Sequence, residues 1–221
     1  MGNLIRFDLG RLMNDFNTPY FFETGTFMGD GIAYAQLFPF KKIYSAEIIP
    51  EIALQARKRF KDYTDIDIIV ADSITALKKQ LPLILDNIIF WLDAHFPGAD
   101  AGLNSYDEVN IEDVRLPLQN EIETICNLRK GFNDVFILDD LRIYEDGDYE
   151  KGNVPPDALP AMQRNIDFIY KCFSETHFIF KSYLDEGYIL LFPKKRYRHA
   201  HFKLMNIFQK KTFPEDHYMT F

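Results

Sequence analysis

The sequence predicts an α/β fold: a mostly parallel seven-stranded sheet with helices on both faces and a terminal antiparallel hairpin. From residue 20 to about 173, unbroken apolar runs alternate with helical patterns, which is typical of parallel strands covered on both faces. Residues 176–195 then contain two strand-like runs around a short turn at 185–187, which is typical of a hairpin.

The five predicted parallel strands are short and mostly apolar. In chain order they are PYFFET (19–24), KKIYSAEI (41–48), IDIIVAD (66–72), NIIFWLDAH (87–95) and DVFILDD (134–140). Helices are predicted at 31–37, 50–60, 73–80, 118–130 and 160–172. Pro50 suits a first helical turn and Gly131 suits a helix end, which supports two of these boundaries.

We expect one domain over residues 1–193, followed by a C-terminal extension over 194–221. Two long connections interrupt the domain, at 96–117 and 141–160, and both follow the carboxyl ends of strands, where open α/β sheets bind ligands. The extension mixes aromatic residues with Lys and Arg. We expect it to pack on the domain or on the partner subunit of a homodimer.

Composition excludes several classes of protein. The formal net charge of -8 disfavours nucleic-acid and membrane-surface partners, since attraction to phosphate requires positive charge. The start, MGNLIRFDLGRLMNDF, carries acids and no sustained apolar run, so neither a signal peptide nor a membrane span is expected there. Cys126 and Cys172 fall in predicted helices and are expected to be reduced thiols of a cytoplasmic protein.

The stretch FFETGTFMGDG, residues 21–31, joins the first strand to a helix through three glycines that allow tight turns and a close approach of ligand to the main chain: Gly25, Gly29 and Gly31. A P-loop would end in Gly-Lys-Ser/Thr, which is absent, and the G-x-G-x-x-G order of dinucleotide sites is not matched. Glu23 and Asp30 would repel a pyrophosphate, so a cationic ligand is favoured.

Two further acids end the next strands. Glu47 can accept hydrogen bonds from ribose hydroxyls, and Asp72, in VADS, can receive the amino group of an adenine. With Glu23 and the glycine loop they outline a site for an adenosine that carries a positively charged sulfonium and ammonium.

This arrangement resembles the class I S-adenosylmethionine-dependent methyltransferases over about residues 18–192, which implies a Rossmann-like fold and S-adenosylmethionine as cofactor. The residues expected to bind it are Glu23, Thr24, Gly25, Thr26, Phe27, Gly29, Gly31, Glu47, Asp72 and Ser73. The family's loop reads acid-x-Gly-x-Gly-x-Gly, and Phe27 replaces the middle glycine. We expect this loop either to turn differently or to cover the ligand with the aromatic ring.

Four polar residues follow the fourth and fifth strands: Asp93, His95, Asp139 and Asp140. Three carboxylates beside one histidine are costly unless a cation or a proton neutralises them, and such oxygen ligands suit Mg²⁺, Mn²⁺ or Ca²⁺ better than Zn²⁺. The pattern resembles metal-dependent O-methyltransferases, in particular the macrocin-type sugar methyltransferases.

By that resemblance Asp93, Asp139 and Asp140 would hold the metal, and His95, with Asp93 beside it, would be catalytic as the general base. The D-x-H spacing is one residue shorter than the D-x-x-H-like motif of those enzymes. The alternative is a structural cluster, in which the acids cap loops and His95 packs against Phe96.

The predicted function is therefore methyl transfer from S-adenosylmethionine to a hydroxyl of a small polar acceptor, such as a sugar or glycoconjugate. A hydroxyl is a poor nucleophile at neutral pH, so a base or a metal such as Mg²⁺ is required. Two alternatives stay open: a non-catalytic protein of the same fold that binds S-adenosylmethionine or a nucleotide, and an N- or C-methyltransferase. A nucleotide-dependent oxidoreductase is disfavoured by the glycine order and Asp30.

Overall fold

The computed structural model describes residues 3–99, 102, 112–155, 160–197 and 219–220. It confirms the α/β class, with helices around one mixed sheet. The strands are β1 (Tyr20–Thr24), β2 (Lys42–Glu47), β3 (Ile66–Val70), β4 (Ile88–Leu92), β5 (Val135–Leu138), β6 (His177–Ser182), β7 (Tyr188–Pro193) and β8 (Met219–Thr220).

The strand order is β3-β2-β1-β4-β5-β7-β6-β8. Strands β1 to β5 pair in parallel, whereas β7 is antiparallel to both β5 and β6. The predicted seven-stranded sheet with its terminal hairpin is thus confirmed, and the two-residue strand β8 extends it beside β6. Because parallel strands end at the same edge, the residues that follow β1 to β5 meet there.

The helices are α1 (Leu9–Phe16), α2 (Asp30–Ala35), α3 (Pro50–Arg59), α4 (Ser73–Gln80), α5 (Glu112–Arg115), α6 (Leu118–Leu128), α7 (Asp167–Phe173) and α8 (Lys194–Tyr197). Two buried clusters cover the two faces of the sheet. On β4, for example, Trp91 belongs to one cluster and Phe90 to the other, as the alternation of side chains along a strand requires. The unbroken apolar strands are explained by this burial on both faces.

Helix α1 is an element that the sequence prediction omitted. Asp8 caps it by accepting a hydrogen bond from the Arg11 backbone N–H at 2.9 Å, and Leu9, Leu12 and Phe16 are fully buried. Their spacing of i, i+3 and i+7 is the pattern of a helix with one apolar face. That periodicity, preceded by a capping Asp, was the signal that could have identified the helix.

The helix predicted over 160–172 is shorter in the structure, where α7 begins at Asp167. The prediction was wrong for residues 160–166, because this segment makes its hydrogen bonds to the preceding connection instead. The Ala161 N–H donates to the Ile143 carbonyl at 3.2 Å, and the Arg164 guanidinium donates to Asp146 at 2.8 Å. The Asn165 side chain then accepts from the Asp167 N–H at 3.0 Å, which caps the true helix start.

The two long connections differ in how much of them is described. Tyr144 and Tyr149 of the second connection are buried in the core, so its described part packs on the domain, while residues 156–159 lie outside the described residues. Of the first connection, residues 100–101 and 103–111 lie outside the described residues, as do 198–218 of the C-terminal extension. None of the described helices combines the length and the apolar character needed to cross a membrane.

Candidate cofactor and catalytic site

The glycine loop brings the ends of β1 and β4 into contact. Gly25 has φ of +83°, and a Cβ at this position would lie 2.6 Å from the Asp93 carbonyl oxygen. A Cβ on Gly31 would overlap the carboxyl of Glu23. Glycine is therefore required at both positions. Gly25 is needed for its backbone conformation and its close approach to the end of β4, and Gly31 is needed because the carboxyl of Glu23 packs beneath α2.

Glu23 lies buried under this loop. Its Oε2 accepts a hydrogen bond of 2.6 Å from the Ser45 hydroxyl, which is also 2.6 Å from the Thr26 hydroxyl. Burial, reinforced by the charges of Glu47 and Asp30, raises the pKa of Glu23 to about 8, although the bond from Ser45 opposes the shift. A cation placed beside Glu23 would therefore favour its ionisation.

Glu47 ends β2 and organises the glycine loop. Its Oε2 accepts a hydrogen bond from the Phe27 N–H at 2.9 Å, and its Oε1 accepts one from the Ile49 N–H at 3.0 Å. A carboxylate oxygen can accept more than one hydrogen bond, so both oxygens keep capacity for a diol. Glu47 is only 7% exposed, and this remaining surface faces a cavity.

Asp72 caps α4. Its carboxylate accepts hydrogen bonds from the Thr75 N–H at 2.8 Å and the Thr75 hydroxyl at 2.7 Å. Burial would raise the pKa of Asp72, but the hydrogen bonds from Thr75 lower it below its ordinary value. The side chain also lines the cavity beside Ser73, so the capping role and a ligand-facing position coexist.

Two cavities meet at this edge of the sheet. The larger, of about 280 Å³, extends along the ends of β1 to β4. The residues that define its course are Gly25, Phe27, Glu47, Asp72, Ser73, Asp93, His95 and Asn120. The smaller, of about 90 Å³, lies between the N-terminal segment and the glycine loop. Gly25, Phe27 and Asp93 border both cavities.

The remaining predicted residues are distributed around these cavities. Glu23, Thr26 and Gly31 border the smaller one. Four others border neither of the two: Thr24, Gly29, Asp139 and Asp140. The last two lie behind Asp93 and His95, so only the front of the acidic cluster reaches the cavity.

His95 lies between two carboxylates. Its Nε2 is 2.9 Å from Asp140 Oδ2, and its Nδ1 is 3.4 Å from Asp93 Oδ1. The other oxygen of Asp140 accepts a hydrogen bond of 3.1 Å from the Arg142 Nε. Asp140 therefore fixes the ring through one nitrogen. The ring of His95 also meets Phe96 edge to face, with centroids 5.4 Å apart. The contact with Phe96 that is expected of a structural cluster is therefore present as well.

The pKa shifts follow from this crowding. Burial would lower the pKa of His95, but the charge and hydrogen bond of Asp140 raise it above its ordinary value. Burial and repulsion from Asp139 raise the pKa of Asp93, and burial and repulsion from Asp140 raise that of Asp139. Asp140 has a lowered pKa, because His95 and Arg142 outweigh its burial.

The cluster fits a divalent cation. Asp93, His95 and Asp139 each present one ligand atom within 4.8 Å of the others. Among the residues that the structure describes, neither oxygen of Asp139 nor Oδ1 of Asp93 has a donor at hydrogen-bond geometry, although all three atoms are buried. Buried carboxylate oxygens without donors are costly, and either a cation or a proton shared between the neighbouring carboxyls of Asp93 and Asp139 would satisfy them. Asp140, in contrast, has both oxygens paired.

The sequence analysis missed one buried acid beside the site. Glu121, in the first turn of α6, is 1% exposed, and neither of its oxygens has a partner at hydrogen-bond geometry among the described residues. Burial raises its pKa to about 7, opposed by the hydroxyls of Ser73 and Thr24 and by the charge of His95. Nothing in its local sequence marks it, because its neighbours come from β1, α4 and the loop after β4.

We expect Glu121→Gln to stabilise the protein increasingly as the pH rises. The pKa is about 7 in the folded state and 4.5 as its ordinary value, so ionisation favours unfolding above pH 4.5, until the folded-state group also ionises. Melting temperatures from pH 4.5 to 8 should show a growing difference from the unmodified protein. Glu123→Gln on the same helix is the matched control. A difference independent of pH would contradict the assignment.

No protein-family model matches the chain, and no curated protein matches its sequence. Solved structures do match it. An O-methyltransferase from Bacillus cereus in complex with S-adenosylhomocysteine has 13% sequence identity and a TM-score of 0.53, covering 84% of this chain and 79% of that one. A Staphylococcus aureus protein provisionally described as a caffeoyl-CoA O-methyltransferase has 11% identity and a TM-score of 0.51, covering 87% and 85%.

At such identities the likeness concerns the fold alone. It extends over most of both chains, and the mostly parallel sheet with its antiparallel hairpin matches that fold. The chain has the fold of the class I S-adenosylmethionine-dependent methyltransferases.

Proposed function

We propose that this protein transfers a methyl group from S-adenosylmethionine to a hydroxyl oxygen of a small polar acceptor. The observation that carries the proposal is the course of the larger cavity. It runs from Asp72 and Glu47 past Gly25 to Asp93 and His95, so it joins nucleoside-binding chemistry to a buried acid–base cluster. The smaller cavity continues from that point under the N-terminal segment.

The donor half of the site follows from the acids. Glu47 keeps hydrogen-bonding capacity for the two ribose hydroxyls, and Asp72 can accept from the adenine amino group. Glu23 lies under the glycine loop beside the smaller cavity, where it would stabilise the positive end of the donor. Negative groups at both ends suit a cationic nucleoside better than a pyrophosphate.

The acceptor half must lie beside Asp93 and His95, because the acceptor hydroxyl has to reach the methyl group there. These two residues line the larger cavity together with Phe96 and Asn120, whereas the smaller cavity would be taken by the ammonium end of the donor. Carboxylates accept hydrogen bonds from hydroxyls, so a sugar or another polyol is the acceptor class that we propose. We propose further that the protein is a cytoplasmic homodimer. Its methyltransferase-like domain would end at residue 193, where the C-terminal extension begins.

The acid–base chemistry rests on the Asp140–His95 pair. Asp140 accepts from Nε2, which holds the imidazole in one orientation and leaves Nδ1 on the side of Asp93, a residue that borders both cavities. In that tautomer Nδ1 can take the proton of the acceptor hydroxyl while the oxygen attacks. The protein aligns the nucleophile with the methyl group, and reacting atoms must approach to about 3–3.5 Å.

A divalent ion such as Mg²⁺ would be held by Asp93 and Asp139, whose unpaired oxygens fit it. Asp140, the third ligand expected from the sequence, is assigned to His95 instead, because both of its oxygens are paired. When bound, such an ion lowers the pKa of a coordinated hydroxyl. Without it, Asp93 and Asp139 relieve their repulsion by retaining a proton, as their raised pKa values indicate.

Binding of the donor tests the proposal. Glu47→Ala removes the ribose acceptor, and losing a charged acceptor costs about 1.5–3 kcal/mol, or roughly 10- to 150-fold in affinity. Isothermal calorimetry with S-adenosylmethionine measures this loss. Glu51→Ala, which removes an exposed acid of the neighbouring α3, is the control and should leave Kd unchanged.

Unchanged affinity in a folded Glu47→Ala variant would contradict the site assignment. Because Glu47 also caps the glycine loop, its melting temperature is recorded alongside, and Glu47→Gln separates charge from shape. Turnover then separates an enzyme from a binding protein. Release of S-adenosylhomocysteine in the presence of polyol acceptors supports catalysis, whereas tight binding without turnover favours the non-catalytic alternative.

A further inference from the structure

Phe27 holds an unfavourable backbone conformation. Its φ is +45°, in the left-handed region, where a side chain with a Cβ meets steric repulsion. The loop imposes this conformation partly through the hydrogen bond of 2.9 Å from the Phe27 N–H to Glu47 Oε2. Such strain at a cleft persists when the surrounding structure fixes it, and it directs attention to what the side chain does.

Phe27 lies at the junction of the two cavities. The residue borders both of them and is half-buried, so part of it packs on protein and part remains accessible to a ligand. Gly25 and Asp93 are the other residues that border both cavities. Gly25 has no side chain, and the Asp93 carboxyl lies against His95 and Asp139.

The junction is also where the sulfur of the donor must lie. Asp72 and Glu47 line the larger cavity, which assigns the adenine and ribose to it. Glu23 and Asp30 border the smaller one, which assigns the ammonium end to its side. The sulfur connects these two ends, and its methyl group must also reach the neighbourhood of Asp93 and His95.

We propose that Phe27 is a specificity-determining residue whose ring contacts the sulfonium and favours the charged donor over the neutral demethylated product. The inference rests on the proposed function. A cation over an aromatic face is attracted by the ring quadrupole, and this attraction disappears when the methyl group leaves and the sulfur becomes neutral. The ring therefore strengthens donor binding without strengthening product binding.

Calorimetry with two ligands tests the inference. Phe27→Leu should weaken binding of S-adenosylmethionine by about 3- to 30-fold, the range expected for a partly desolvated cation–π contact. Binding of S-adenosylhomocysteine should change less than about twofold, since only dispersion contacts are lost. Phe27→Tyr retains a ring and should keep the preference of the unmodified protein.

Two further variants make the result interpretable. Phe27→Gly also removes the ring but suits a φ of +45°, so it should fold well and show the same lost preference. Phe60 packs against Gly29 of the same loop, so Phe60→Leu is the control for loop packing and should affect both ligands equally.

Equal losses of affinity for both ligands in Phe27→Leu and Phe27→Gly would overturn the inference, because the preference for the charged donor would be unchanged. Phe27 would then be only an apolar wall. No loss for either ligand would overturn it for the same reason. Failure of the donor-site assignment gives a different result, because the unmodified protein would then bind neither ligand. Failure of methyl transfer alone is seen as binding without release of S-adenosylhomocysteine, and it leaves the comparison of the two ligands intact.

Discussion

Replacing His95 by alanine is expected to lower kcat about 100- to 10,000-fold, the usual contribution of a general base. Donor affinity should change little, because the expected contacts of the nucleoside lie at Glu47 and Asp72. The physical reason is the ring's orientation: Asp140 holds Nε2 at 2.9 Å, and Nδ1 lies on the side of Asp93, which borders the cavity. Release of S-adenosylhomocysteine under saturating donor and acceptor measures kcat.

Three controls separate the roles that His95 could have. Added imidazole should partly restore the rate of His95→Ala if the missing group is a base. Restoration by excess Mg²⁺ instead would make His95 a metal ligand, as its place beside Asp93 and Asp139 allows. A purely structural histidine would lower the free energy of unfolding by about 1–3 kcal/mol while the folded protein kept its rate. That result, or an unchanged kcat, would refute the base assignment.

Asp140→Asn tests the orientation of His95 separately. The asparagine preserves the shape, but its amide can turn an N–H toward Nε2, which would favour the wrong tautomer. Activity should fall although the ring stays in place. Arg142 would lose the charge of one of its two acidic partners in this variant, since it also lies 3.9 Å from Glu186. Melting temperatures are therefore measured alongside the rates.

Asp139→Asn is expected to abolish the stabilisation of the protein by Mg²⁺ and to lower the metal-dependent rate by more than about 100-fold, since a catalytic ion contributes several kcal/mol. Asp139 is 3% exposed, its carboxylate oxygens have no donor within the described part of the chain, and burial raises its pKa to about 7. Asparagine mimics the protonated form in size. In EDTA, the variant should therefore melt no lower than the unmodified protein.

The measurement is the melting temperature in EDTA and after Mg²⁺ addition, combined with turnover under both conditions. Asp146→Asn, which removes an exposed acid paired with Arg164, is the matched control and should leave the response to Mg²⁺ intact. Full activity of the unmodified protein in a rigorously metal-free sample would remove the ion from the mechanism. Asp93 and Asp139 would then be a protonated polar floor behind His95.

The sequence alone determined the fold class and indicated the edge of the sheet where the two cavities lie. Strands β1, β4 and β5 are buried on both faces, so their apolar runs stood out without any knowledge of their neighbours. The glycine loop could be identified because the requirement at Gly25 is a local backbone property. Glu47 and Asp72 followed from their positions at strand ends.

Helix α1 and the true start of α7 show where local patterns were misread or insufficient. The apolar spacing of α1 was present in the sequence, but residues 160–166 carry a helical pattern and still prefer hydrogen bonds to residues 142–146. Tertiary contacts decide such segments, because helix propensity differs between most residues by only a fraction of a kcal/mol.

Only the tertiary structure decided which acids act together. Asp139 and Asp140 are neighbours in sequence, yet one has unpaired oxygens facing Asp93 and the other orients His95. Glu121 and Thr24 are far apart along the chain and meet behind the cavity. Electrostatic coupling depends on distance in space and on burial, and neither quantity is encoded in the local sequence around a single carboxylate.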